Sequence, residues 1–154
     1  MDQTERLLAG LKAGLYDMVF CSYQPGENGL RFTPVVELPF VVAMLKDDPL
    51  AKCPSITPDQ LAGRPMVFTD SPAYSDLLRR MLGEYGIRPE IRGYSNEDSV
   101  LLSMVQAGLG VFISTDHPQM YSPDTVLVPL RQDRYRHFSF LVQVKLSNGI
   151  KERH

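Results

Sequence analysis

Segment boundaries are marked along this chain in one recurring way. Thr57-Pro58 leads to Gly63, Ser71-Pro72 leads to Gly86, and Ser95 leads to Gly108. A hydroxyl side chain can accept an orphan N–H at a helix start. Proline fits the first helical turn, where its missing N–H costs nothing, and glycine fits the left-handed residue past the last turn. Thr4 and Gly14 bracket an earlier segment in the same manner. Between the brackets lie short runs rich in β-branched and aromatic residues: 16–21, 32–37, 40–45, 66–68, 90–94, 111–113, 126–130 and 138–144. Strand-length and helix-length segments that alternate in this way predict an α/β fold with crossover helices on a sheet.

The helical segments carry the apolar stripes they need. Leu7, Leu8, Leu11 and Leu15 fall on one face of a helix over 4–14. Tyr74, Leu77, Leu78, Met81, Leu82 and Tyr85 do the same over 72–85, and Val100, Leu101, Met104 and Val105 over the helix that Ser95 opens. Residues 16–21 read as a buried strand centred on Met18, Val19 and Phe20. Pro39 separates two β-rich runs and marks a strand start or an edge.

Composition excludes several classes. Sixteen Lys+Arg against eighteen Asp+Glu give a net charge of −2, without the basic footprint of a free-standing nucleic-acid binder. The apolar run 38–45 is far shorter than the roughly 20 residues that span a bilayer. No basic stretch followed by an apolar one stands at the N-terminus, so no membrane partner is expected and the expected location is cytoplasmic. Cys21 and Cys53 lie in unrelated contexts and read as one buried and one exposed thiol. His117 reads as a loop histidine, His137 lies in a polar run, and His154 is terminal; no pair has metal-ligand spacing. Gly-x-Ser-x-Gly is absent, and Gly108-Leu109-Gly110 lacks the third glycine of a dinucleotide fingerprint. No catalytic set, metal or cofactor is expected.

In open α/β sheets, ligands sit at the carboxyl ends of strands, where helix starts converge. Those positions here are Thr69, Asp70 and Ser71, then Ser95 and Asn96, then Ser114 and Thr115. Their hydroxyls and the backbone N–H groups of helix starts suit an anion or a polar ligand.

Three stretches resemble the effector-binding domain of LysR-type transcriptional regulators. Residues 8–20, Leu-Ala-Gly-Leu-Lys-Ala-Gly-Leu-Tyr-Asp-Met-Val-Phe, are similar to the family's helix that ends in a Gly-x-x-Asp turn into a strand. Asp48-Pro49-Leu50-Ala51 resembles its His-Pro-Leu-Ala segment, with Asp48 in place of the usual His. Residues 105–113, Val-Gln-Ala-Gly-Leu-Gly-Val-Phe-Ile, resemble its Val-x-x-Gly-x-Gly-Ile strand entry. The resemblance implies the two-lobed fold of type 2 periplasmic binding proteins, with a cleft between the lobes and lobe I incomplete. Residues 1–45 would be the partial lobe I, 46–137 lobe II, and 138–154 the strand returning to lobe I, with 40–45 and 138–144 crossing as the hinge. The family's winged helix-turn-helix would lie outside this chain.

The resemblance further implies a small-molecule effector, carboxylate or polar, held between lobes. Its contacts would come from Thr4, Ser22 and Tyr23 of lobe I and from Thr69, Asp70, Ser71, Ser114 and Thr115 of lobe II. It implies a homodimer or homotetramer, pairing the helix 4–14 with the helix 72–85, and DNA contact only through the domain outside this chain. Two other functions share such a scaffold: solute binding for transport, and a small enzyme. With a charge of −2 and no recognition helix, the chain by itself is expected not to retain duplex DNA sequence-specifically. A gel-shift titration at moderate salt checks this, and specific retention at submicromolar protein would contradict it.

Overall fold

In a computed structural model that describes residues 3–145 except 22, 25 and 134, the chain changes unit at Leu38 and again between Arg136 and His137. The strands are β1 (Val19–Cys21), β2 (Leu30–Leu38), β3 (Phe40–Leu45), β4 (Pro65–Thr69), β5 (Glu90–Ser95), β6 (Phe112–Thr115), β7 (Thr125–Pro129) and β8 (His137–Val144). The helices are α1 (Gln3–Lys12), α2 (Pro72–Glu84) and α3 (Asp98–Gln106), with 3-10 turns at Pro58–Leu61 and Pro118–Met120.

The first unit joins the N-terminal segment, up to Glu37, with β8. Its sheet has the order β1-β8-β2, with Val19 opposite Val142 and Cys21 opposite Phe140 in an antiparallel pair. Leu8 and Leu11 of α1 pack on Val19, Cys21, Leu30 and Val142. Three expectations differ here. Helix α1 begins at Gln3, so Thr4 sits inside its first turn and not at the cap. The helix ends at Lys12, which leaves Leu15 73% exposed. The strand after it is short and alternates: Val19 and Cys21 point inward while Phe20 and Met18 are exposed, because successive strand residues face opposite sides. Burial holds the His137 imidazole below its ordinary pKa.

The second unit is a sheet with a helix on each face. Strand β3 is central in β6-β3-β7 and antiparallel to both neighbours. Its alternate residues divide between two cores. Phe40, Val42 and Met44 join Met66, Phe68, Ile113 and the α2 residues Leu78, Met81 and Leu82. Ala43 joins Val67, Phe112 and the α3 residues Leu101, Leu102 and Val105. A strand covered on both faces reads as a continuous apolar run, which is how 40–45 is written. The unit boundary therefore falls at Leu38 and not after residue 45: β3 takes both its hydrogen-bonded neighbours from within 38–136. Strands β3 and β8 lie in different sheets.

Strands β4 and β5 form a parallel pair, and a parallel bridge between Met66 and Val111 ties them to the β6 side. Val67 N–H donates to the Val111 carbonyl at 2.9 Å, and Val111 N–H to the Pro65 carbonyl at 3.0 Å. Helix α2 starts after Ser71 with Pro72 in its first turn, and Gly86 follows its end at φ 72°. Ser71 occupies the cap position but makes no side-chain capping bond. Ser95 does not cap α3. It ends β5, and α3 begins three residues later at Asp98 with Glu97 at the cap. Of the six apolar residues expected on α2, Leu78, Met81 and Leu82 are buried in this unit's own core, and Tyr74, Leu77 and Tyr85 pack against it while partly exposed.

Gly110 lies against backbone: a Cβ there would stand 2.6 Å from the Pro65 carbonyl oxygen and 2.9 Å from the Met66 nitrogen. Gly83, on the exposed side of α2, has nothing within 4 Å of the same position. Gly110→Ala is expected to lower unfolding free energy by about 1–3 kcal/mol. Gly83→Ala is expected to raise it by up to about 1 kcal/mol through helix propensity. Urea denaturation of both variants separates the two effects.

Candidate functional site

Parallel strands bring their C-terminal ends to one edge. In the second unit these are the ends of β4, β5 and β6, since Thr69 lies opposite Ser95 and β4 is bridged in parallel to the start of β6. The edge collects Thr69, Asp70 and Ser71 after β4, Ser95 at the end of β5, and Ser114 with Thr115 at the end of β6. Antiparallel β3 enters here with Phe40 opposite Thr115.

Local hydrogen bonds hold these residues. Ser71 N–H donates to Thr69 Oγ1 at 3.1 Å, and Asp70 N–H to the Ser95 carbonyl at 2.8 Å. Glu97 N–H donates to Ser95 Oγ at 3.1 Å, which shows what that serine does in place of capping. Ser114 is buried and its hydroxyl donates to the Thr115 carbonyl at 3.4 Å. The Tyr74 hydroxyl donates to the Ile113 carbonyl at 3.2 Å, and its ring stacks on Phe40. Burial, with the Asp98 charge added, pushes this phenol far above its ordinary pKa, so it remains a neutral donor. His117 is more than a loop histidine: its Nε2 lies 3.0 Å from Asp98 Oδ2 and ties the segment after β6 to the start of α3.

Beside Thr69, an open cavity of about 310 Å³ is lined by Thr69, Asp70, Pro72, Ser75, Asp76, Arg79 and Tyr94. The Arg79 guanidinium lies over the Phe68 ring at 5.3 Å and donates to the Tyr94 hydroxyl at 3.0 Å. Its Nε donates to Ser75 Oγ at 3.4 Å. Sequence reasoning missed Arg79 and Tyr94. Arg79 was within reach, because Pro72, Ser75, Asp76 and Arg79 lie at the helical spacing of one face. Tyr94 was not, because its place depends on the β4–β5 register.

The residues expected from the first unit are placed differently. Thr4 is in the first turn of α1. Tyr23 is half-exposed and packs edge-on against Phe32 at 5.0 Å and beside Phe140 at 5.8 Å. Ser22 lies outside the described residues. Among the described residues no group of His, Cys, Asp and Glu could hold a metal, and no helix is long and apolar enough to cross a membrane. Hydroxyls, helix-start N–H groups and one arginine can hold a small polar ligand.

The LysR substrate binding domain matches residues 1–145 of the chain. The HTH-type transcriptional regulator YnfL of Escherichia coli is 31% identical over 113 residues, which cover 71% of this chain and 38% of YnfL. TtuA of Agrobacterium vitis, also an HTH-type transcriptional regulator, is 29% identical over 119 residues, 71% of this chain and 37% of TtuA. The chain thus spans less than two-fifths of the length of these relatives. The effector-binding domain of QuiR in complex with shikimate is similar at a TM-score of 0.79 and 24% identity, over 92% of this chain and 68% of that one. The BenM effector-binding domain with benzoate is similar at 0.79 and 18% identity, over 97% of this chain and 69% of that one. At these identities the likeness is one of fold, the periplasmic-binding-protein-like fold of LysR effector-binding domains.

Tyr74→Phe removes the donor that links α2 to the end of β6. It is expected to cost about 0.5–1.5 kcal/mol of stability, read by chemical denaturation. An unchanged midpoint would mean that the bond to Ile113 contributes nothing to holding this edge.

Proposed function

The chain belongs to the LysR substrate-binding domain family, and from that premise we propose that it senses a small polar or carboxylate effector for a transcriptional regulator. In this reading the polar edge of the second unit takes the effector. The convergence of Thr69, Ser71, Ser114 and Thr115 on one sheet edge carries the proposal. Ser71 supports it in particular, since its side chain is not engaged in capping and would be available to a ligand. Asp70 has an exposed carboxylate at the same edge and would select for a hydrogen-bond donor on the ligand.

The relatives are HTH-type transcriptional regulators, and two of the similar structures hold shikimate and benzoate. By analogy, DNA contact belongs to a helix-turn-helix domain, and the sensing domain works in a homodimer or homotetramer whose geometry responds to the effector. Self-association would draw on the first unit, where Leu15, Tyr16, Met18 and Phe20 are exposed.

Calorimetric titration with a panel of shikimate, benzoate and short hydroxy-carboxylates tests the site. Thr69→Ala combined with Ser71→Ala is expected to weaken a ligand that binds by roughly tenfold or more, at 0.5–1.5 kcal/mol per hydroxyl contact and more for a charged ligand. Thr69→Ser, which keeps the hydroxyl, is expected to bind as the parent does. A ligand held equally by the parent and the double variant would place the site elsewhere.

A further inference from the structure

The cavity beside Thr69 contains two opposite charges, Asp70 and Arg79, that form no ion pair with each other or with any other described residue. Arg79 spends two of its five N–H donors, one on Tyr94 and one on Ser75. Its remaining donors have no partner among the described residues. The Phe68 ring beneath it and the Tyr94 hydroxyl beside it fix the guanidinium in place, so little side-chain freedom is left to lose on binding. Asp70 lies between the end of β4 and the start of α2, with an exposed carboxylate that accepts no bond among the described residues. The second acid of the cavity, Asp76, is already held by Arg80 one turn along α2 and does not compete for Arg79. Hydroxyls of Thr69, Ser75 and Tyr94 complete the lining.

This charge pattern selects a ligand class. A plain anion would meet Asp70, and a plain cation would meet Arg79, so each would be attracted at one end and repelled at the other. A small molecule with both groups satisfies both. We infer that this cavity is a subsite for a small carboxylate that also carries a hydrogen-bond donor, either an ammonium or a hydroxyl group. Arg79 takes the carboxylate, in the paired N–H geometry that a guanidinium offers, and Asp70 takes the donor. The inference rests on the reading of the Thr69 edge as the effector site and extends that site onto α2 and β5. All seven lining residues belong to the second unit.

The test uses the intact chain and four probes with one three-carbon skeleton: alanine, lactate, propionate and alaninol. Binding is followed by backbone amide shifts in two-dimensional NMR. Alanine, lactate or both are expected to give saturable shifts at Asp70, Ser75, Arg79 and Tyr94; alanine alone identifies the donor as ammonium, lactate alone as hydroxyl. Propionate, without the donor, and alaninol, without the carboxylate, are expected to bind about tenfold more weakly or worse, the usual effect of one lost charge-assisted contact. Asp70→Asn should remove the advantage over propionate. Arg79→Gln should remove the advantage over alaninol, and Arg79→Lys should restore part of it. Arg92→Gln, a charge change outside the cavity, should alter nothing. Unfolding midpoints of all variants exclude a folding defect.

No saturable shift from any probe at roughly tens of millimolar, propionate binding as well as alanine and lactate, or unchanged binding in Arg79→Gln would each overturn the inference. If Thr69→Ala with Ser71→Ala loses shikimate or benzoate while Arg79→Gln leaves every probe unaffected, the subsite fails and the effector site stands. If the three-carbon probes bind as described while Thr69→Ala with Ser71→Ala leaves the larger ligands unaffected, the subsite stands and the effector site lies elsewhere.

Discussion

The backbone approach of Gly110 to Pro65 and Met66 is the contact on which the second unit depends. Any side chain at 110 would collide with the Pro65 carbonyl. With glycine there, Val67 and Val111 exchange bonds with Val111 and Pro65 across the gap, and the parallel pair β4–β5 is carried onto the antiparallel sheet β6-β3-β7. Val67 and Val111 are buried, so their bonds are also obligatory: an unpaired buried N–H or carbonyl would cost as much as a bond lost. The polar edge is a consequence of this contact. Thr69 and Ser114 share it only because β4 and β6 are held side by side and parallel.

A second constraint acts where the chain enters β4. Asp48 ends the turn after β3 and receives the Arg64 guanidinium through both oxygens, while its Oδ1 also accepts the Leu50 N–H at 2.9 Å. Burial by itself would raise this carboxyl. The Arg64 bonds, the Leu50 N–H and the Arg64 charge outweigh burial, and the pKa lies below the ordinary value. A group depressed in this way stabilises the fold above its unfolded pKa, and the contribution is lost as pH falls through the folded one. Asp48 with Arg64 fastens the two ends of the segment between β3 and β4.

The sequence reading and the structure agree best where a local signal had no competitor. Pro72 and Gly86 bound α2 within two residues of their positions, and the β-rich run 40–45 is strand β3, with Pro39 just before its start. They part where one residue could serve two neighbours. Ser95 can cap a helix or end a strand, and the parallel pairing with Thr69 takes it for β5. Phe20 is as apolar as Val19, but strand alternation turns it outward and leaves it 60% exposed. In the candidate site, Thr69, Ser71, Ser114 and Thr115 were legible from their place after strands. Arg79 shares a helix face with Pro72, Ser75 and Asp76 and could have been found by that spacing, whereas nothing in a tyrosine in an edge strand announces a shared cavity.

What the sequence determined by itself is local: where helices start and stop, which runs are strands, and which hydroxyls follow them. Those outcomes depend on backbone freedom and on side chains within a few residues of each other, and both can be read along a line. What the tertiary structure decided is which of these pieces face one another. The register of β5 on β4, the bridge from Met66 to Val111 and the meeting of Arg79 with Tyr94 join residues far apart in the chain. Such contacts are chosen by the packing of two cores on either side of one sheet, and no short window of sequence contains that balance.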